Sequence, residues 1–173
     1  GQVVAAYLEW VGYDDVTPND IAPGGDRADS ELIVNGVTVT GILPPGEAGY
    51  APSGLPDDWY AWYADVGPAG LNLVSGSDPV TLEISGYDST GGRYNNGASL
   101  VVVYDVSPCD TQTLVEVRTG VDYYWEGLPD RGGFSLPIVY YFPAVAVDRV
   151  AKFFLNHAGT DFAQTECRGD ALW

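Results

Sequence analysis

Apolar residues along this chain fall into short runs, several alternating with polar ones at period two, and turn-forming residues separate the runs. Residues 3–11 (VVAAYLEWV) open the series, and their apolar, β-prone character predicts a central strand. Residues 12–30 follow as a polar loop carrying Asp14, Asp15, Asp20, Asp26 and Asp29. In residues 31–40 (ELIVNGVTVT) an Asn-Gly pair stands between two β-branched runs. A two-residue hairpin turn needs positive φ at both central positions, which Asn and Gly tolerate, so this stretch predicts a hairpin. Residues 44–56 are rich in Gly and Pro and read as irregular.

The aromatic run at 57–66 (DDWYAWYADV) predicts a strand, with Trp59 and Ala61 on one face and Tyr60 and Trp62 on the other. Residues 80–86 (VTLEISG) alternate cleanly and place Val80, Leu82 and Ile84 together. Residues 98–104 (ASLVVVY) are the most apolar run, short for a helix and β-branched, and predict a buried strand. Further strands are expected at 114–122 (LVEVRTGVD), 134–142 (FSLPIVYYF) and 150–155 (VAKFFL). About nine strands with regular turn signals and no amphipathic helix predict an all-β protein. The expected architecture is one antiparallel β-sandwich domain over residues 1–173, of the jelly-roll or Greek-key type.

Composition sharpens this picture. The chain has 173 residues, enough to bury one real core, and 46% of them are hydrophobic, so it is not a disordered chain. Acidic residues number 24 against 7 Lys and Arg, a formal net charge of -17. A polyanion of this kind argues against nucleic acid and anionic membrane as partners and fits calcium, a basic partner or simple solubility. No run approaches the ~18 uninterrupted apolar residues of a membrane span, so no membrane insertion is expected. There is no methionine, which predicts a processed N-terminus or a piece of a longer protein. Cys109 and Cys167 are the two cysteines. In an oxidising compartment they predict a disulfide, contributing roughly 4 kcal/mol on the chain-entropy model; the plainer alternative is two unpaired thiols.

Several segments appear in an order that resembles a domain of unknown function found in bacterial and archaeal surface proteins, often beside adhesin-type repeats. The landmarks begin with Ala6-Tyr7-Leu8-Glu9-Trp10-Val11-Gly12, where that family usually has Tyr in place of Glu9 and Ala in place of Val11. They continue through Val34-Asn35-Gly36-Val37-Thr38-Val39, Trp62-Tyr63-Ala64-Asp65-Val66 and, most specifically, Asn96-Gly97-Ala98-Ser99-Leu100-Val101-Val102-Val103-Tyr104. Val115-Glu116-Val117-Arg118-Thr119-Gly120-Val121-Asp122 and Gly169-Asp170-Ala171-Leu172-Trp173 complete the series. The likeness spans essentially the whole chain and is one of pattern, with no catalytic signature. It implies an extracellular β-sandwich with no catalytic residues and no fixed cofactor. Residues 41–57 have no counterpart in that pattern. Where the chain ends at Trp173, the family is expected to continue into another strand, which implies an open edge or one filled by a neighbouring subunit.

Candidate chemistry is sparse. His157 is the single histidine and Lys152 the single lysine; neither a Gly-x-Ser-x-Gly elbow nor a Gly-x-x-x-x-Gly-Lys loop occurs. One His and two distant Cys make a poor zinc site, so the chain is expected not to be an enzyme. Calcium, which takes six to eight oxygen ligands from loops, is the candidate ion, with Asp14, Asp15, Asp20, Asp26 and Asp29 as ligands. A solvated acidic loop is the plainer alternative and outweighs it. Trp59, Trp62 and Tyr63 are candidates for stacking a sugar, with core packing as the alternative; Tyr123-Tyr124-Trp125 is a second patch with the same ambiguity. Arg168-Gly169-Asp170 spells an integrin-recognition tripeptide, though its Gly-Asp half already belongs to the landmark pattern. Lys152 shares a strand face with Val150 and Phe154, yet a snorkelling edge lysine explains it better than an isopeptide donor.

The expected role is a non-catalytic structural subunit of a microbial cell-surface or extracellular filament or sheath, assembled from copies by strand exchange. Val3, Val4, Tyr7, Trp10 and Trp173 would then form the contacts between copies. The alternative is an adhesin or carbohydrate-binding module of a larger surface protein.

Overall fold

The computed structural model describes residues 1–14, 30–43, 58–87, 93–106, 113–119, 139–141, 144, 150 and 152. Among these lie six strands and no helix: β1 (Gln2–Asp14), β2 (Glu31–Val34), β3 (Val37–Thr40), β4 (Asp58–Asp65), β5 (Ile84–Ser85) and β6 (Arg93–Asp105). They form two antiparallel sheets. One has the order β4-β1-β6 and the other β3-β2-β5.

The opening apolar run is central, as its composition predicts, and it extends past residue 11 to Asp14. Its inward set is Val3, Ala6, Leu8, Trp10 and Gly12. That set changes from odd to even numbers because Val4 is an extra residue between Val3 and Ala5 in the ladder with β6. A bulge of this kind turns every later side chain to the opposite face from the one strict alternation would give it. A second bulge sits on β6, where Asn96 and Gly97 together face Val11. Gly97 has φ +114, a conformation in which a Cβ is strained.

One core joins the sheets. Leu8 and Trp10 of β1, Leu32 and Val34 of β2, Val39 of β3, and Tyr60, Trp62 and Ala64 of β4 belong to a single buried cluster. Two antiparallel sheets sharing one buried cluster is consistent with the layering of a β-sandwich. Trp10 is only 1% exposed, and full burial of a side chain that size is worth roughly 3 kcal/mol or more.

Residues 31–40 make the expected hairpin, with Asn35 at φ 50 and Gly36 at φ 78 at its turn. The chain then passes from one sheet to the other. Gly41 donates its N–H to the Ser30 carbonyl (2.7 Å), and Ile42 exchanges both backbone hydrogen bonds with Tyr63 of β4 (2.8 and 3.1 Å). A Cβ on Gly41 would lie 2.7 Å from Trp10 Cζ2 and 2.8 Å from Trp62 Cβ, so the crossing passes directly over the core indoles.

A tight turn follows β4. Asp65 Oδ1 accepts the Gly67 N–H (2.9 Å), the Val66 carbonyl accepts from Leu73 and Val74 (2.9 Å each), and the Val66 N–H bonds the Ala6 carbonyl (2.9 Å). The turn carries Val66 and Val74 into the core and returns the Gly76 carbonyl to the Val3 N–H (3.0 Å).

Elsewhere the expectations and the structure part. Of residues 80–86, only Ile84 and Ser85 enter a ladder; Leu82 and Ile84 pack on the core, whereas Val80 is exposed. Residues 98–104 do lie in a strand, but Leu100 is 41% and Tyr104 54% exposed. An apolar run reads as burial on both faces, whereas β6 is an outer strand of the described sheet. Residues 113–119 enter no ladder, and all but Thr119 are exposed. Arg118 nevertheless ties them to residues 139–140. It holds the Glu116 carboxylate, donates to the Val139 carbonyl (3.1 Å) and lies 4.5 Å from the Tyr140 ring centroid. Val150 and Lys152 are exposed, and the rest of the strand expected at 150–155 lies outside the described residues.

Candidate functional site

The sequence candidates divide sharply on the fold. Trp62 is buried, stacked against Tyr60 with ring centroids 5.9 Å apart and planes 23° apart. Its indole packs the core and is not a surface platform. Trp59 lies in β4 opposite Tyr13 of β1. Tyr63 points to the opposite face from Trp62 and Ala64 and is half-buried. Of the assembly candidates, Val3 and Trp10 are core residues, Val4 is the exposed bulge residue and Tyr7 is half-buried. Asp14 closes β1, in register with Asp58 and Arg93. Asp15, Asp20, Asp26, Asp29, Cys109, Cys167, His157 and Trp173 lie outside the described residues, as does Arg168-Gly169-Asp170. Among the described residues no three His, Cys, Asp or Glu gather as metal ligands.

The fold instead assembles a patch on the outer face of the β4-β1-β6 sheet. Because Leu8 and Trp10 point inward, Tyr7, Glu9 and Val11 point outward. Directly opposite residues of an antiparallel pair share a face, so the register fixes two rows. Ile42, Tyr63, Glu9 and Ser99 form one; Asp65, Tyr7 and Val101 form the next. Two tyrosines and two carboxylates thus alternate as a checkerboard, with each Tyr beside a carboxylate both across the strands and along them.

Glu9 is the unusual member. It sits at mid-sheet on the central strand, half-buried, and loss of water around it pushes its carboxyl above the usual value of 4.5. Among the described residues no charge or hydrogen bond offsets that desolvation. Asp65 is held in place by the Gly67 N–H that its Oδ1 accepts.

Sequence reading reached Tyr63 and Tyr7 but assigned them to different roles, and it passed over Glu9. The available signal was the charged residue at the one outward position between Leu8 and Trp10 of an otherwise apolar run. No family model, curated protein or solved structure matches this chain.

Proposed function

We propose that this protein is a non-catalytic structural subunit of a microbial cell-surface or extracellular filament or sheath. The observation that carries the reading is β6: thirteen residues long, paired among the described residues with β1 alone, and exposing Leu100 and Tyr104 along its length. A long outer strand with exposed apolar side chains is what strand addition by another copy uses, main-chain hydrogen bonds supplying affinity and side chains register. The surface-protein resemblance of the landmarks and the core role of Trp10, Tyr60 and Trp62 fit the same reading.

The ladders favour one route of assembly over another. β1 is paired on both edges within its own chain, so donating residues 1–10 to a neighbour would break two ladders. Adding a neighbour's strand beside β6 breaks neither. Electron microscopy of the native material, beside mass photometry of the chain, tests the proposal. Regular filaments are expected, and they should be lost when Leu100 and Tyr104 are both replaced by Lys. A discrete monomer of about 18.5 kDa at every concentration would overturn it.

A second reading, a carbohydrate-binding module of a larger surface protein, now rests on Tyr63 with Tyr7 as a platform, since Trp62 is in the core. Calcium remains a proposed ligand of the acidic segment after β1, tested by the change in melting temperature on chelation.

A further inference from the structure

We infer that Asn35 is a deamidation site gated by the segment leading into β5, so that the hairpin turn is converted irreversibly once that segment has let go. The chemistry belongs to the Asn35-Gly36 pair. Asparagine is a chemically labile residue, most of all before glycine, where no side chain obstructs the next backbone nitrogen. That nitrogen of Gly36 attacks Cγ of Asn35. The new N–Cγ bond forms, the Cγ–Nδ2 bond breaks, and the proton of the attacking nitrogen leaves with ammonia. Water then opens the succinimide ring to an aspartyl or isoaspartyl residue. Asn35 and Gly36 are both exposed, so water reaches the turn.

The fold adds a clamp on the reacting group. The carboxamide is held at both ends by the backbone of one segment: Oδ1 accepts the Glu83 N–H (2.8 Å) and Nδ2 donates to the Thr81 carbonyl (3.3 Å). The Asn35 N–H donates to the Glu83 carbonyl (2.9 Å), which makes the bonding with Glu83 reciprocal. Cyclisation requires the carboxamide to turn its carbon toward the Gly36 nitrogen, and that rotation breaks both side-chain bonds. The gate itself is slight. β5 pairs with β2 through Ile33↔Ser85 and Val34↔Ile84, and Thr81 and Glu83 are exposed. Local opening of a short, exposed ladder costs far less than global unfolding. Closing again after reaction is disfavoured, because both products lack the Nδ2 donor that the Thr81 carbonyl uses. The isoaspartyl product also adds a methylene to the main chain of a turn whose length fixes the hairpin register.

Peptide mapping by mass spectrometry, after the full chain has been held at mildly alkaline pH, tests the gate. It reads deamidation at Asn35 and, as a reference on the other sheet, at Asn96-Gly97 in β6. In folded wild type, Asn35 is expected to react roughly tenfold or more slowly than in the urea-denatured chain. Glu83→Pro removes the N–H that Oδ1 accepts. In a sample whose Leu8 and Trp10 amides remain protected, it should speed reaction at Asn35 and leave Asn96 unchanged. A second measurement needs no substitution: in urea below the unfolding transition, loss of Asn35 should rise together with exchange of the Glu83 amide and ahead of exchange at Leu8. Equal rates at Asn35 in folded and denatured wild type would overturn the inference. So would a rate that rises only with exchange at Leu8, or one that stays fixed in folded Glu83→Pro.

Discussion

Asn35 does more than allow a turn. With φ 50 it shapes the hairpin, while its backbone N–H bonds the Glu83 carbonyl (2.9 Å), its Oδ1 accepts the Glu83 N–H (2.8 Å) and its Nδ2 reaches the Thr81 carbonyl (3.3 Å). The side chain therefore carries the β2–β5 pairing beyond the two residues of the ladder itself. Replacing it by Ala adds left-handed strain to two lost side-chain hydrogen bonds, an expected loss of about 2 kcal/mol in chemical denaturation. Gly at the same position relieves the strain alone and should fall between Ala and wild type. Two glycines separate sterics from strain. Gly41→Ala drives a methyl into Trp10 and Trp62 and is expected to cost about 1–3 kcal/mol by overpacking. Gly97→Ala meets open space but sits at φ +114, so any loss there, expected to be at least about 1 kcal/mol, is conformational. For Glu9 the pH dependence has a definite sign. Its carboxyl holds a proton to higher pH folded than unfolded, so stability falls as pH rises from 4.5 through the raised value. Glu9→Gln should therefore melt higher than wild type at neutral pH, and the gap should close below pH 4.5.

At the scale of elements, the apolar runs at 3–11, 31–40, 57–66 and 98–104 all became strands, because each combines β-branched or aromatic residues with clear turn signals at its ends. The Asn-Gly hairpin was the most legible feature, since its turn chemistry is local. Burial was less legible. The Val4 bulge moved the inward set of β1 by one residue, and nothing in the apolar run from Val3 to Leu8 marks where an extra residue will fall. Nor does an apolar run state how many neighbours its strand will have; that depends on residues far away in sequence. The checkerboard was hidden for the same reason, because its members come from three strands whose register is a tertiary fact. A paired substitution measures this difference in burial. Leu8→Ala should cost about 2–5 kcal/mol, as Leu8 is wholly buried. Leu100→Ser, on a side chain 41% exposed, should cost well under half as much by the same denaturation assay.

For the whole molecule, charge sets the terms of association. Copies carrying -17 each repel one another, and salt screens that repulsion within a Debye length of about 8 Å at physiological ionic strength. Assembly along β6 should accordingly strengthen as salt rises, read as light scattering over a salt series. Scattering that falls with salt would mean that the surface of assembly has been misassigned.

The central place of β1 also governs the order in which the chain can organise itself. Val3 finds its partner at Tyr104, and Gln2 finds its partner at Asp105. The first of the described strands is thus among the last to be closed on both sides, and the loop spanned is most of the described chain. Pairings so distant in sequence put folding in the millisecond-to-second range typical of β proteins. Until β6 arrives, the indole of Trp10 and the side chain of Leu8 lack one wall of their enclosure. Before then β1 is held by β4 and by the turn after it, through the Val66–Ala6 and Val3–Gly76 hydrogen bonds. Amide protection at Leu8 and Trp10, followed by pulsed hydrogen exchange during refolding, should therefore appear late.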